Sequence, residues 1–182
     1  SLFSQDKQAY VIFNEKGKKV SYKHLLKAAS ESEITFFGEY HNNPIAHWLQ
    51  YELTNDLAAQ NGNKLTLGFE MFEADQQQLI TDFLAGKTEE KQFEDSMRLW
   101  TNYKTDYRPL VRFAKEKGIV CVASNIPRRI ASTTFKKGRA ALDSLDADEY
   151  AFMCDKNFPV DTSLSQYQMM LQMSSDHAKG LN

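Results

Sequence analysis

Glu39, Tyr40 and His41 follow Gly38 where an apolar run, Ile34-Thr-Phe-Phe37, gives way to Asn42-Asn43-Pro44, a helix-start signal. A carboxylate and an imidazole two residues apart project to the same side if strand geometry persists, which suits a shared metal or an acid/base pair. The plainer reading makes Glu39 a helix cap and His41 a satisfied loop histidine. Position favours chemistry, because ligands of open α/β sheets bind beyond the carboxyl ends of the strands. Two further runs end in the same way: Leu65-Thr-Leu-Gly-Phe69 delivers Glu70, and Ile119-Val-Cys-Val-Ala-Ser124 delivers Asn125. Three strand ends are therefore expected to point polar groups into one cleft.

Glu70 closes an otherwise apolar strand, where a carboxylate is costly unless it is paired, faces a cleft or meets a cation. Met71 and Phe72 behind it are either an apolar wall of that cleft or core. His47 lies in the first turn of the helix after Pro44, two residues from both Ile45 and Leu49. It is expected to face away from the core stripe, at the cleft mouth or in water. Asn125-Ile-Pro-Arg128-Arg129 has the makings of an anion site, with free amides at a helix start and two guanidinium groups suited to carboxylate or phosphate. Arginines on a solvated helix are the commoner case. Trp100, Tyr103 and Tyr107 are spaced to stack on a flat ligand or to pack a core. There is no Gly-x-Gly-x-x-Gly, Gly-Lys-Ser/Thr, Cys-x-x-Cys or His-Glu-x-x-His, which removes most support for nucleotide enzymes and the common zinc classes.

The elements that must hold these groups can be read from periodicity. A small β element at Tyr10–Phe13 turns at Gly17, and a short helix follows with Ser21 as cap and Tyr22, Leu25, Leu26 and Ala29 at helical spacing. Ile45, Leu49, Leu53 and Leu57 form a stripe on a helix that Asn43 caps and Gly62 ends. Helices are predicted over about 74–84, 88–99 and 109–117, the last closed by Gly118, and another opens at Pro127 and is interrupted by Gly138. A final helix carries Leu164, Tyr167, Met170, Leu171 and Ser174 on one face, with Gly180 as its cap. Strands alternating with helices predict an α/β fold with a mainly parallel sheet covered by helices on both faces.

The chain has 182 residues, enough for one domain spanning 1–182, and its net charge of −2 comes from 22 basic and 24 acidic residues well mixed along it. No whole-chain field attracts nucleic acid, so no nucleic-acid partner is expected. Cys121 and Cys154 allow one disulfide and do not decide the compartment. No apolar run reaches the ~18 residues of a spanning helix. The chain begins at Ser1, which fits a processed or trimmed chain from which a signal or lipid anchor has been removed.

Phe37-Gly-Glu-Tyr-His-Asn-Asn-Pro-Ile-Ala-His-Trp-Leu-Gln50, Leu67-Gly-Phe-Glu-Met-Phe72, Trp100-Thr-Asn-Tyr103 and Ala123-Ser-Asn-Ile-Pro-Arg-Arg129 together resemble the ChaN-like haem-binding family of the Tiki superfamily. The resemblance is ordered and runs from about Ala9 to Leu181. It implies an α/β fold, a lipid-anchored protein of the bacterial cell envelope, in the periplasm or at the outer membrane, and a part in haem or iron uptake, with haem and a second copy of the chain as partners. Membrane attachment would come only through an N-terminal lipid anchor that this chain lacks. In the wider superfamily, which includes erythromycin-esterase-like proteins, Gly-x-x-His and separate glutamates form a metal-dependent hydrolase centre, and by position Glu39, His41 and Glu70 match it. The alternative is thus an ester- or peptide-cleaving enzyme in which these three act as catalytic groups on a divalent metal ion. Relatives continue beyond Asn182 with a further histidine motif, so part of the family's C-terminal region is expected to be missing. For haem, whose iron accepts imidazole or tyrosinate, the candidate axial ligands nearest the cleft are Tyr40, His41 and His47. Arg128 and Arg129 are the candidates to meet the propionates.

Overall fold

A computed structural model describes residues 8–62, 64–155 and 158–179, so the predicted cap at Gly180 lies outside the described residues. Two compact units divide between Arg129 and Ile130.

In the first unit, β1 (Ile12–Phe13) and β2 (Lys19–Val20) form a short antiparallel hairpin. Gly17 turns it with φ of 68°, a left-handed conformation open to glycine at little cost. Ser21 caps α1 (Tyr22–Ser30), accepting from the His24 amide. Asn43 caps α2 (Pro44–Asn61): its side chain accepts from Ile45 and Ala46 N–H, and Pro44 fills a position that needs no donor. Then come β3 (Thr66–Glu73), a 3₁₀ turn at Ala74–Gln76, α3 (Gln77–Leu84), α4 (Glu90–Ser96), a π-helical turn at Tyr103–Tyr107, α5 (Arg108–Lys117) and β4 (Val120–Asn125).

β3 and β4 pair in parallel, Thr66 opposite Val120 through Phe69 opposite Ala123, and resume at Glu73 opposite Asn125 after a register shift. The extra backbone turns two successive side chains, Met71 and Phe72, to the buried side and carries Glu73 to the strand end. Phe72 is fully buried among Phe69, Phe93 and Tyr103, which decides between its two readings: it is core. Phe69, Met71, Cys121 and Ala123 face that core, whereas Gly68, Glu70, Val120, Val122 and Ser124 on the other face are exposed. The expected mainly parallel sheet with helices on both faces is thus, among the described residues, one parallel pair covered on one face. The predicted strand at Ile34–Phe37 is not formed. That segment pairs with no strand, and Ile34 and Phe36 are 72 % and 94 % exposed. Its residues favour a strand, but β propensity needs a neighbouring edge to act on.

α2 is buried on more than the predicted stripe. Leu53 is buried and α1 packs on the helix, with the Tyr22 hydroxyl donating to Asp56 at 2.9 Å. His47, Thr54 and Ala58 are buried as well, where α2 meets α5 and the π turn. Both cysteines are unpaired, Cys121 buried and Cys154 exposed.

The second unit takes most of α6 (Arg128–Lys137), which ends at Gly138. A 3₁₀ stretch at Arg139–Ser144, α7 (Ala147–Tyr150) and α8 (Ser165–Lys179) complete it. On the predicted face of the last helix, Leu164, Tyr167, Met170 and Leu171 are all exposed. No described helix is long and apolar enough to cross a membrane.

Candidate functional site

Three local features bring polar groups around Glu39. The cap at Asn43 turns the chain from the Gly38–Asn42 loop into α2, so the helix's first two turns present His47 and Gln50, three apart and on one face, back to the loop. The π turn at Tyr103–Tyr107 inserts one residue more than an α-helix would. Such turns recur at functional sites because they re-aim side chains. Here Asn102 and Tyr107 meet the same loop from the other side, and Asp106 approaches His47 of α2.

Glu39 is the hub, with a side chain only 11 % exposed. Its Oε1 accepts from the Tyr107 hydroxyl and faces His41 Nδ1 at 3.2 Å. Its Oε2 accepts from Gln50 Nε2 at 2.5 Å and lies 3.4 Å from His47 Nδ1. Burial pushes the Glu39 carboxyl up, but the hydrogen bonds from Tyr107, Gln50 and His41, with the charge interaction of His47, outweigh it and hold the group below its ordinary 4.5. Tyr107 responds in the opposite sense. Burial first, then its bond to the Glu39 carboxylate and the charges of Glu39, Asp106 and Glu70, keep the phenol protonated far above its usual range.

A carboxyl whose folded pKa lies below its unfolded one stabilises the fold above the unfolded value, and loses that contribution as pH falls through the folded value. Stability is therefore expected to drop below about pH 4.5 more steeply in the native chain than in Glu39→Gln. Urea unfolding at a series of pH values checks this, and parallel curves would exclude Glu39 as the source.

The loop backbone is held as firmly as its carboxylate. The His41 carbonyl accepts from His47 Nε2 at 3.0 Å and from Asn102 Nδ2 at 2.5 Å, while Asn102 also donates to Asp106 at 2.7 Å. The His47 ring meets Tyr107 edge to face at 4.6 Å, Trp100 meets Tyr107 at 5.7 Å, and His41 meets Trp100 at 4.5 Å. His47, expected at the cleft mouth or in water, is instead 5 % exposed, because the π turn covers the helix face that the apolar stripe leaves free. It shapes the loop from inside and is not placed to receive a ligand.

What the loop presents outward is Tyr40, 82 % exposed, and the His41 imidazole, with a side chain 55 % exposed. Because Nδ1 is engaged by Glu39, the neutral ring carries its proton there and keeps Nε2 as the lone-pair donor, the arrangement in which carboxylates orient metal-binding histidines.

Glu70 sits on the exposed face of β3, and its charge reaches Tyr107. Among the described residues no three of His, Cys, Asp and Glu are grouped to hold a metal ion. The expected metal set of Glu39, His41 and Glu70 is therefore not among such groups, and the Glu39 oxygens are engaged by Tyr107, Gln50 and the two histidines.

The arginines belong to another cluster. The Arg128 backbone N–H donates to Glu73 Oε2 at 2.9 Å, so the helix start that reads as an anion site is filled by the protein's own carboxylate. Arg129 Nη1 lies 2.5 Å from Asp75 Oδ2, and Arg98 bonds both Glu73 and Asp75. A cavity of about 310 Å³ lies along the N-terminal hairpin, from Gln8 to Tyr22, and contains none of the loop residues.

The sequence alone does not mark Gln50, Asn102, Asp106 and Tyr107 as polar site groups. The available signals were His47 and Gln50 at i, i+3 and Asn102 and Asp106 at i, i+4, polar pairs set among aromatic and aliphatic neighbours. The family described as haem-binding uptake, Tiki superfamily, ChaN matches the chain over residues 25–182. No curated protein and no solved structure matches it.

Proposed function

The chain belongs to the haem-binding uptake family of the Tiki superfamily described as ChaN, and from that premise we propose that it binds haem through the Gly38–His41 loop, with His41 Nε2 as the axial donor. The observation that carries this reading is the division of the His41 ring: Nδ1 is held by Glu39 at 3.2 Å while the side chain stays more than half exposed. Haem iron accepts imidazole nitrogen, and a carboxylate behind the ring raises its donor strength. Tyr40 beside it offers a phenol as a second oxygen donor, and Phe36 and Ile34 supply exposed apolar surface on the same stretch of chain. Of the two arginines, Arg128 is the propionate candidate in this reading, because its side chain is exposed. Arg129 is tied to Asp75 and plays a lesser part.

Haem is the cargo, and no turnover is required. Uptake of haem or iron at a bacterial cell envelope, by a lipid-anchored protein that pairs with a second copy, is the setting we propose with it, supported by the family's description. A divalent-metal hydrolase built on Glu39, His41 and Glu70 is the less favoured reading, because it asks Glu39 to ligate with oxygens that four protein groups already engage.

Titrating haem into the purified chain and recording the absorption spectrum tests the proposal. Saturable binding with a histidine-ligated Soret band is expected. Absence of saturable binding, together with metal-dependent ester cleavage lost in Glu70→Gln, would replace it with the hydrolase.

A further inference from the structure

Tyr107 has no place among the ligands, yet it reaches His41 by two routes. Its hydroxyl donates to Glu39 Oε1, the same oxygen that faces His41 Nδ1. Its ring also packs edge to face on Trp100, which packs edge to face on His41. The residue is 6 % exposed and is delivered by the π turn, so its hydroxyl is aimed by backbone geometry and core packing together. We infer that Tyr107 is a positioning residue that sets the donor strength of the His41 imidazole by competing for Glu39 Oε1, an inference that rests on the reading of His41 as the axial ligand.

The chemistry has a sign. Two donors sharing one carboxylate oxygen draw on the same electron density. While the phenol is present, Glu39 pulls less strongly on the His41 Nδ1 proton. Without it, the carboxylate is more basic, the Nδ1–H bond is more polarised, and Nε2 becomes the stronger donor. Replacing the carboxylate with an amide does the reverse. A purely structural role for Tyr107 predicts no such opposition, because loosening the loop weakens the His41 contact in either variant. Gln50 and His47 work on Oε2 and hold the carboxylate's orientation, which leaves Oε1 as the point of control.

The first measurement uses the haem-free chain: the ¹⁵N shifts of the His41 ring nitrogens in the native protein, Tyr107→Phe and Glu39→Gln, with circular dichroism confirming that each is folded. Tyr107→Phe keeps the buried ring and removes only the hydroxyl. The two substitutions are expected to move His41 Nδ1 in opposite directions. In the haem-loaded chain, Tyr107→Phe is expected to lower the reduction potential and Glu39→Gln to raise it, since hydrogen bonding to the axial ligand tunes the iron. Unchanged His41 signals in Tyr107→Phe, or shifts of the same sign in both variants, would overturn the inference even if haem binds as proposed. Opposed shifts in a chain that forms no histidine-ligated haem would uphold the link from Tyr107 to His41 and overturn the haem reading instead.

Discussion

His41→Ala is expected to weaken haem binding by roughly 100-fold or more, since even partners one step behind a metal ligand contribute 10–100-fold to affinity. At about 1.4 kcal/mol for each tenfold, that loss is at least ~2.8 kcal/mol. The expected spectrum is that of loosely associated haem without the histidine-ligated Soret band. The fold should survive, because the His41 side chain is 55 % exposed and the contact that anchors the loop is its backbone carbonyl, held by His47 and Asn102. Tyr40→Phe serves as the paired control: it keeps the ring and removes the phenol, the loop's other outward group of a kind that haem iron accepts. A native spectrum and affinity in His41→Ala would sink the assignment, and their loss in Tyr40→Phe would move the iron to the phenol.

The second large effect concerns the core. Phe72→Ala should destabilise the chain by about 3–5 kcal/mol, the range for truncating a buried aromatic when its surroundings collapse only in part. Phe72 is completely buried, with ring centroids 5.4 Å from Phe69, 6.2 Å from Phe93 and 6.4 Å from Tyr103, and Phe93 in turn stacks on Phe83 at 4.4 Å. Against a total of about 5–15 kcal/mol for a domain, such a loss brings the chain close to unfolding at ordinary temperature. Urea unfolding measures it. A cost below about 1 kcal/mol would instead fit a solvent-facing wall, the other role open to a residue that follows Glu70 in sequence.

Phe72 also shows how far a linear reading reaches. Its neighbourhood is apolar enough to announce a strand, but the inward turn of both Met71 and Phe72 comes from the register shift between Phe69 and Glu73, which depends on how β4 pairs. Strict alternation cannot foresee that. The termini of α2 and α5 were legible because caps act locally: Asn43 accepts from amides two and three residues away, and Gly62 and Gly118 adopt the left-handed conformation in which those helices end. The strand predicted at Ile34–Phe37 does not form, since a strand exists only with a partner edge.

The same division runs through the site. Local sequence alone determined that Glu39, Tyr40 and His41 stand together before a capped helix, because two-residue spacing and a helix cap are properties of neighbouring residues. Only the tertiary structure decided their surroundings. It buried His47 under the π turn, set Gln50 and Tyr107 on the Glu39 oxygens, filled the α6 start with Glu73, and left the His41 ring outward. Glu39 and Tyr107 are 68 positions apart, and their hydrogen bond depends on α2 and the π turn packing together. No periodicity within either segment encodes that distance, which is why the Gly38–His41 loop could be read from the chain and the groups that hold Glu39 could not.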